Sequence, residues 1–236
     1  MEIILYFIKF NNRVSIDLGV GIVSRPNIPA PQKNLKVVTI EGRDGDLYEN
    51  TGGYKDITIK VDMNFLKEVS IKEQFRKIKN WLVNVTDSKL IFSDDLHWFY
   101  KVKKVTMADL ETQYNLLGKF SVEFVCSAYS YRLDGLTPIL LNNNSLTIVN
   151  EYYKALPTFE IQGNGEVTIN INDKITKVNV DDKVVVDSTL ELSYRNKDDY
   201  FNVETGEYPI LENGLNKIQI TGSTTSVKLF PNWRTI

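Results

Sequence analysis

The ten residues YKDITIKVDM, positions 54–63, decide the fold class. Ile57, Ile59, Val61 and Met63 recur at every second position, with Thr58, Lys60 and Asp62 between them. Successive side chains of an extended chain point to opposite faces, so this spacing gathers four apolar groups on one face and polar groups on the other. It predicts a β-strand with one buried and one wet face. Residues 36–41, 90–92, 98–105 and 120–126 give the same reading. In the last of these Cys126 shares the inward face of Phe120 and Phe124, which makes it a small core residue.

One segment among these strands keeps a different period. Ile71, Phe75, Ile78 and Leu82 are spaced by four, three and four, a stripe along one side of a helix over residues 71–83. Ser70 with Glu73 three positions later forms a capping box, in which each side chain satisfies a backbone donor left open at the helix start.

The texture changes after residue 124. Gly135, Thr137-Pro138 and Asn142-Asn143-Asn144 interrupt the strands and place a domain boundary near Leu133, giving domains 1–133 and 134–236. Beyond it the pairs Asn164-Gly165, Asn172-Asp173 and Asp181-Asp182 each separate two strand-like runs. Such residues suit the positive φ angles of tight hairpin turns. Runs at 166–172, 175–180, 183–187, 189–194, 217–221 and 226–230 then read as a β-sandwich with no helix.

Bulk properties narrow the possible functions. With 236 residues, 42% hydrophobic and 25% charged, the chain can bury two modest cores. Residues 1–149 carry 19 cationic against 17 acidic side chains, and residues 150–236 carry 9 against 13. Neither part has the basic excess that binds phosphate backbones by counterion release, so specific nucleic-acid binding is not expected. A lone cysteine excludes an intrachain disulfide framework. The apolar run 3–10 lacks the flanks of a signal peptide, and no run approaches the ~18–20 apolar residues of a membrane span. No membrane insertion is expected.

Chemistry has few places to reside. His97 is the single histidine and stands beside Trp98 at a strand start, where a half-exposed structural residue is the ordinary reading. One histidine and one cysteine cannot close a tetrahedral zinc site. Asp94-Asp95, Asp181-Asp182 and Asp198-Asp199 suggest the paired carboxylates of a glycosidase, but neighbours on a strand face opposite ways and these pairs fall where turns are expected. Gly19-Val-Gly21 is half of a dinucleotide fingerprint, with Ser24 where the third glycine belongs and strands following. No catalytic, metal or cofactor-binding residue is assigned, and no cofactor is expected.

Residues 42–53, GRDGDLYENTGG, form the longest polar stretch of the first domain. They read either as a surface hairpin tip or as a loop that orders against a neighbouring subunit, with Arg43, Asp44, Asp46, Tyr48 and Glu49 as the candidate contact residues. In the second domain Tyr194, Tyr200, Phe201, Tyr208 and Trp233 could stack on sugars, although buried core is the commoner fate of such rings.

The order of short motifs carries a resemblance. Arg25-Pro26 with Ile28-Pro29, a strand ending in Gly42-Arg43-Asp44-Gly45, Thr51-Gly52 with Tyr54, a helix closing on Trp81-Leu82, and Leu90-Ile-Phe92-Ser-Asp94 come first. Tyr100, Gly118-Lys-Phe120, Phe124-Val-Cys126 and Tyr129-Ser-Tyr131 follow. This order resembles the distal tail proteins of long-tailed phages. Ala155-Leu-Pro157, Glu160-Ile-Gln-Gly163, Val185-Val-Asp187-Ser188, Gly206-Glu-Tyr-Pro209, Gly214-Leu-Asn216-Lys-Ile218 and Pro231-Asn-Trp233-Arg234 are similar to that family's galectin-like C-terminal domain. One departure is Ala128, where many relatives have proline before the tyrosine.

The resemblance implies a mainly β protein. Its N-terminal belt domain would be a β-sandwich or split barrel with one α-helix, followed by a galectin-like β-sandwich. It further implies a structural role without catalysis: a homohexameric ring at the tail tip of the virion, assembled in the cytoplasm of the bacterial host. The expected partners are further copies of the chain, the tail tube protein, a tail-associated hub or lysin protein and a receptor-binding protein. A carbohydrate-binding module for host cell-wall sugars is the alternative.

Overall fold

A computed structural model describes residues 6–66, 71–108, 111–113, 117–196 and 198–236. The chain divides into two compact units, Met1–Ser130 with Ile236, and Tyr131–Thr235. It is mainly β, with one α-helix among the described residues.

The first unit contains β1 (Ile8–Phe10), β2 (Arg13–Val14), β3 (Val20–Ile22), β4 (Lys33–Val38), β5 (Leu47–Tyr54), β6 (Ile57–Phe65), α1 (Ile71–Val83), β7 (Lys89–Phe92), β8 (Asp95–Met107), β9 (Glu111–Gln113) and β10 (Leu117–Arg132), the last running on into the second unit. Its main sheet has the order β2-β1-β7-β8-β10-β6-β3, with β9 beside β10. The alternation at 57–63 is realised directly: Ile57, Ile59, Val61, Met63 and Phe65 are buried. β10 pairs antiparallel with β6 so that Phe120 faces Met63, Val122 faces Val61, Phe124 faces Ile59 and Cys126 faces Ile57. Directly opposed residues share a face, so this register joins both apolar rows into one dry surface.

The helix closes that surface. Ile78 and Leu82 are buried as the stripe predicts, and Phe75 packs edge-on against Phe120 at 5.6 Å. Trp81, outside the predicted stripe, is also buried, and its indole N–H donates to the Phe10 carbonyl at 2.8 Å. The apolar face is therefore wider than four residues, because a helix lying on a sheet is covered on both sides of its contact line. Ser70, the expected cap, lies outside the described residues, as does the side chain of Ile71.

Two elements depart from expectation here. β4 runs Lys33–Val38, earlier than the predicted strand over 36–41. β1 and β2 form a hairpin turned by Asn11-Asn12, both at positive φ (48° and 60°). Asparagine tolerates that region best among residues with a side chain, so this pair was a readable turn signal. Asn11 also acts as a staple. Its side-chain N–H groups donate to the Trp81 and Asn84 carbonyls, each at 2.8 Å, and its Oδ1 accepts from Thr86 N at 2.8 Å and Asp87 N at 3.2 Å.

The second unit contains β11 (Ile139–Leu140), β12 (Ser145–Asn150), β13 (Thr158–Ile171), β14 (Lys174–Asp187), β15 (Leu192–Asn196), β16 (Asp199–Phe201), β17 (Gly214–Thr221), β18 (Thr224–Phe230) and β19 (Arg234–Thr235). Short 3-10 turns stand at Leu133–Leu136 and Asn142–Asn144. Phe159, Ile161, Val167, Ile169, Val178, Val184, Val186, Leu211 and Leu229 fill its core.

Three expected hairpins reduce to one. Asn172-Asp173, at φ 49° and 68°, turns β13 into β14. Asn164-Gly165 and Asp181-Asp182 instead face each other inside that single long hairpin, Asn164 opposite Asp181. Gly165 at φ 90° and Asp182 at φ 63° bend the paired strands together without ending them. The bend lets β13 pair with β18 over its first half and with β17 over its second. A corner of this kind is how a strand passes from one layer of a sandwich to the other. Gly163 is required there because an added Cβ would lie 2.1 Å from the Ser223 carbonyl oxygen. The run predicted at 189–194 begins as a turn, held by Asp187 Oδ1 accepting from Thr189 N (2.8 Å) and Leu190 N (3.1 Å).

Two predictions follow from these contacts. Asn11→Ala loses four backbone hydrogen bonds and places alanine at positive φ, so a urea titration will show a loss of roughly 2–4 kcal/mol, with Asn11→Gly less affected; a change below about 0.5 kcal/mol would remove the staple. Burial, with Asp56 adding to it, pushes the Cys126 thiol up to about 12. Ellman's reagent at pH 8 will therefore find no reactive thiol in the native chain and one per chain after denaturation.

Candidate functional site: an exposed two-stranded arm

β4 and β5 form a sheet of their own, paired with each other and with no strand of the main sheet. Lys33 stands opposite Tyr54 at the root, then Leu35 opposite Asn50, Lys36 opposite Glu49, Val37 opposite Tyr48 and Val38 opposite Leu47. At the root Lys55 N donates to the Gln32 carbonyl at 2.8 Å, and the Tyr54 ring meets Tyr129 edge-on at 5.9 Å. Thr39 Oγ1 donates to Asp46 at 3.0 Å across the tip.

Opposed residues of an antiparallel pair lie on the same face. Val37 and Tyr48 therefore share one face with Leu35, while Val38 and Leu47 share the other with the Lys36 and Glu49 pair. Val37 is 52% and Tyr48 61% exposed, and Leu35, Ile40 and Leu47 are exposed as well. An isolated two-stranded hairpin is marginal in water, and this one presents apolar pairs to solvent on both faces.

The structure divides the five candidate loop residues. Arg43, Asp44 and Asp46 lie at the tip, whereas Tyr48 and Glu49 belong to β5 and are paired with Val37 and Lys36. The polar stretch is thus largely a strand, and the expected strand end at residues 42–45 is the turn beyond it. Glu49, Asn50 and Gly52-Gly53 conceal it, since they lower β propensity and break the alternation. The missed signal is the apolar set Leu35, Val37, Val38 and Leu47, which has no common period on its own strand.

The chemical candidates do not converge. His97 is exposed on β8. Asp94 accepts from the Tyr6 hydroxyl at 3.0 Å and pairs with Arg25 at 3.8 Å, and Arg25 lies over the Tyr6 ring at 5.7 Å. Burial, and then the charge of Asp94, raises the pKa of Asp95. Asp199 pairs with Arg195 at 3.1 Å. Gly19 ends a single 3-10 turn at φ 72°, and Gly21 lies in β3, so no helix follows the half fingerprint. Among the described residues no group of three or more His, Cys, Asp or Glu gathers as metal ligands.

Of the sugar-stacking candidates, Trp233 is buried in the core, and Phe201 and Tyr208 pack against it. Tyr200, 54% exposed, stands 5.8 Å from the Tyr194 ring. A hollow of about 740 Å³ opens elsewhere on the second unit, lined by Thr147, Asn170, Asp173, Lys217 and Gln219 among others, with no aromatic ring.

Comparison with known proteins assigns the fold. Residues 15–126 match the model of the phage tail protein RIFT-related domain. No curated protein matches the chain. Among solved structures it is similar to the Dit protein (gp 19.1) of SPP1, described as a paradigm of the hub adsorption apparatus in phages that infect Gram-positive bacteria. The two share 17% identity and a TM-score of 0.57 over 95% of this chain and 98% of that one. Residues 15–126 thus match the phage tail RIFT-related domain family, and the chain as a whole has a Dit-like fold.

Proposed function

We propose that the chain is a ring-forming distal tail connector of the virion. The first domain, 1–133, would close as a belt around the tail channel, and the second, 134–236, would be a galectin-like domain outside it. The carrying observation is the arm, a separate two-stranded sheet on which Leu35, Val37, Ile40, Leu47 and Tyr48 remain exposed among the described residues.

A closed ring requires a heterologous interface, in which one surface of each subunit meets a different surface of the next. A projecting hairpin meets that requirement because it reaches a neighbour without needing a two-fold relation to it. Covering five half-exposed apolar side chains contributes on the order of 5 kcal/mol per contact, and a closed ring repeats it. The near balance of charge suits a channel through which DNA slides, since each cation facing phosphate adds attraction.

In this reading the partners are five further copies, the tail tube protein on one side, a tail-associated hub or lysin protein on the other, and a receptor-binding protein outside. Assembly takes place in the bacterial cytoplasm, and the role needs no catalysis. Sugar binding by the second domain keeps a narrower footing, the exposed Tyr200 beside Tyr194.

Two measurements test these readings. In sedimentation the wild type will form six-fold particles, hexamers or pairs of hexamers, alone or with its tail partners, whereas Val37→Lys with Tyr48→Ser will form nothing larger than a dimer and keep its melting temperature within about 3 °C, since both sites are exposed; a variant that still closes rings would contradict the arm as the contact. On a glycan array the full chain will bind no cell-wall sugar. Binding that disappears in Tyr200→Ala would establish the sugar reading instead.

A further inference from the structure

The second unit leaves one long sheet edge uncovered. Among the described strands β12 pairs with β17 alone, through six consecutive rungs from Ser145 opposite Gln219 to Asn150 opposite Gly214, without a register shift. An edge strand presents unpaired N–H and C=O groups along its outer flank, and soluble proteins blunt such edges with lysine, proline, a bulge or a very short strand. The sequence of β12, SLTIVN, contains no charge and no proline.

Other edges of the unit are protected. β11 has two residues and β16 three. β14 carries Lys174, Lys177, Asp181, Asp182 and Lys183, and the following loop covers part of it: Lys177 N donates to Thr205 O at 2.9 Å and Glu204 N to Lys177 O at 2.8 Å.

The side chains of β12 show what is missing beside it. Leu146 and Ile148 point to the core and pack against it, yet remain only half-buried. Ser145, Thr147 and Val149 face outward, Val149 at 55% exposure. The core therefore ends at this edge with two apolar groups incompletely covered.

We propose that β12 pairs antiparallel with β12 of a second copy of this chain, across a two-fold axis at Thr147. In this register both core-facing residues of the stretch 145–149 meet core-facing residues of the second copy. Centring on Thr147 sets Leu146 opposite Ile148 twice, Ser145 opposite Val149 twice, and Thr147 opposite itself. Opposed residues share a face, so Leu146 and Ile148 of both copies form one apolar row that extends the two cores across the axis. A register centred between Thr147 and Ile148 would turn the core face of one copy onto the solvent face of the other. With no charge on the strand, a second copy meets no like-charge repulsion, which is the usual obstacle to self-pairing of edges.

The pairing rests on β12 and does not depend on ring closure by the arm, so the two fail separately. Native mass spectrometry of the full chain decides it in two backgrounds, wild type and Val37→Lys with Tyr48→Ser. Thr147→Lys, which sets two ammonium groups face to face, will halve the mass of the particle in both, whereas Thr147→Val will keep it. In the arm-variant background the change is from dimer to monomer. A Thr147→Lys particle with the same mass as its parent in both backgrounds would overturn the proposal. So would an arm variant that is already monomeric before Thr147 is changed.

Discussion

The register between β6 and β10 is the constraint on which the first unit depends. Because Phe124 opposes Ile59 and Val122 opposes Val61, the rows Ile57, Ile59, Val61, Met63 and Phe120, Val122, Phe124, Cys126 lie on one face. A slip of one residue would turn all of them to solvent. That dry face is what α1 covers, and Phe10 completes it, meeting Phe124 edge-on at 5.1 Å and Trp81 at 6.2 Å. The arm ends at Tyr54, two residues before β6 begins, where the tyrosine ring meets Tyr129 of β10, and its own two strands pair only with each other.

Polar groups in this molecule mostly serve the backbone. Asn216 is fully buried, with its amide donating to Glu212 O at 2.8 Å and Gly214 O at 3.0 Å and its Oδ1 accepting from Glu212 N and Asn172 Nδ2, both at 3.0 Å. Asn11 and Asp187 do similar work at other turns. Side chains occupied in this way are poorly placed for chemistry on a substrate, and the remaining ionisable groups are dispersed over the surface.

Period-two and period-3.6 patterns are legible wherever one face is buried and the other wet, which is why β6, β10 and α1 were readable from Ile57, Phe124 and Ile78. Legibility fails where burial does not alternate. β5 is exposed on both faces, so Tyr48 and Glu49 carry no periodic signal and pass for a loop. Asp181-Asp182 has the composition of a tight turn, but composition reports only that positive φ is tolerated. Whether a strand ends there or bends depends on Asn164 opposite, 17 residues earlier in the chain. Trp81 lay beyond the predicted stripe because the width of a helix contact is set by the sheet beneath it.

The central claim is that the β4–β5 arm is the contact by which copies of this chain close on one another. Hydrogen exchange on the arm amides tests it most directly, compared between the dilute isolated chain and assembled tails. The account predicts fast exchange over residues 33–54 in the isolated chain and strong protection on assembly, with β6 and β10 protected in both. Arm amides that exchange equally fast in assembled tails would contradict it.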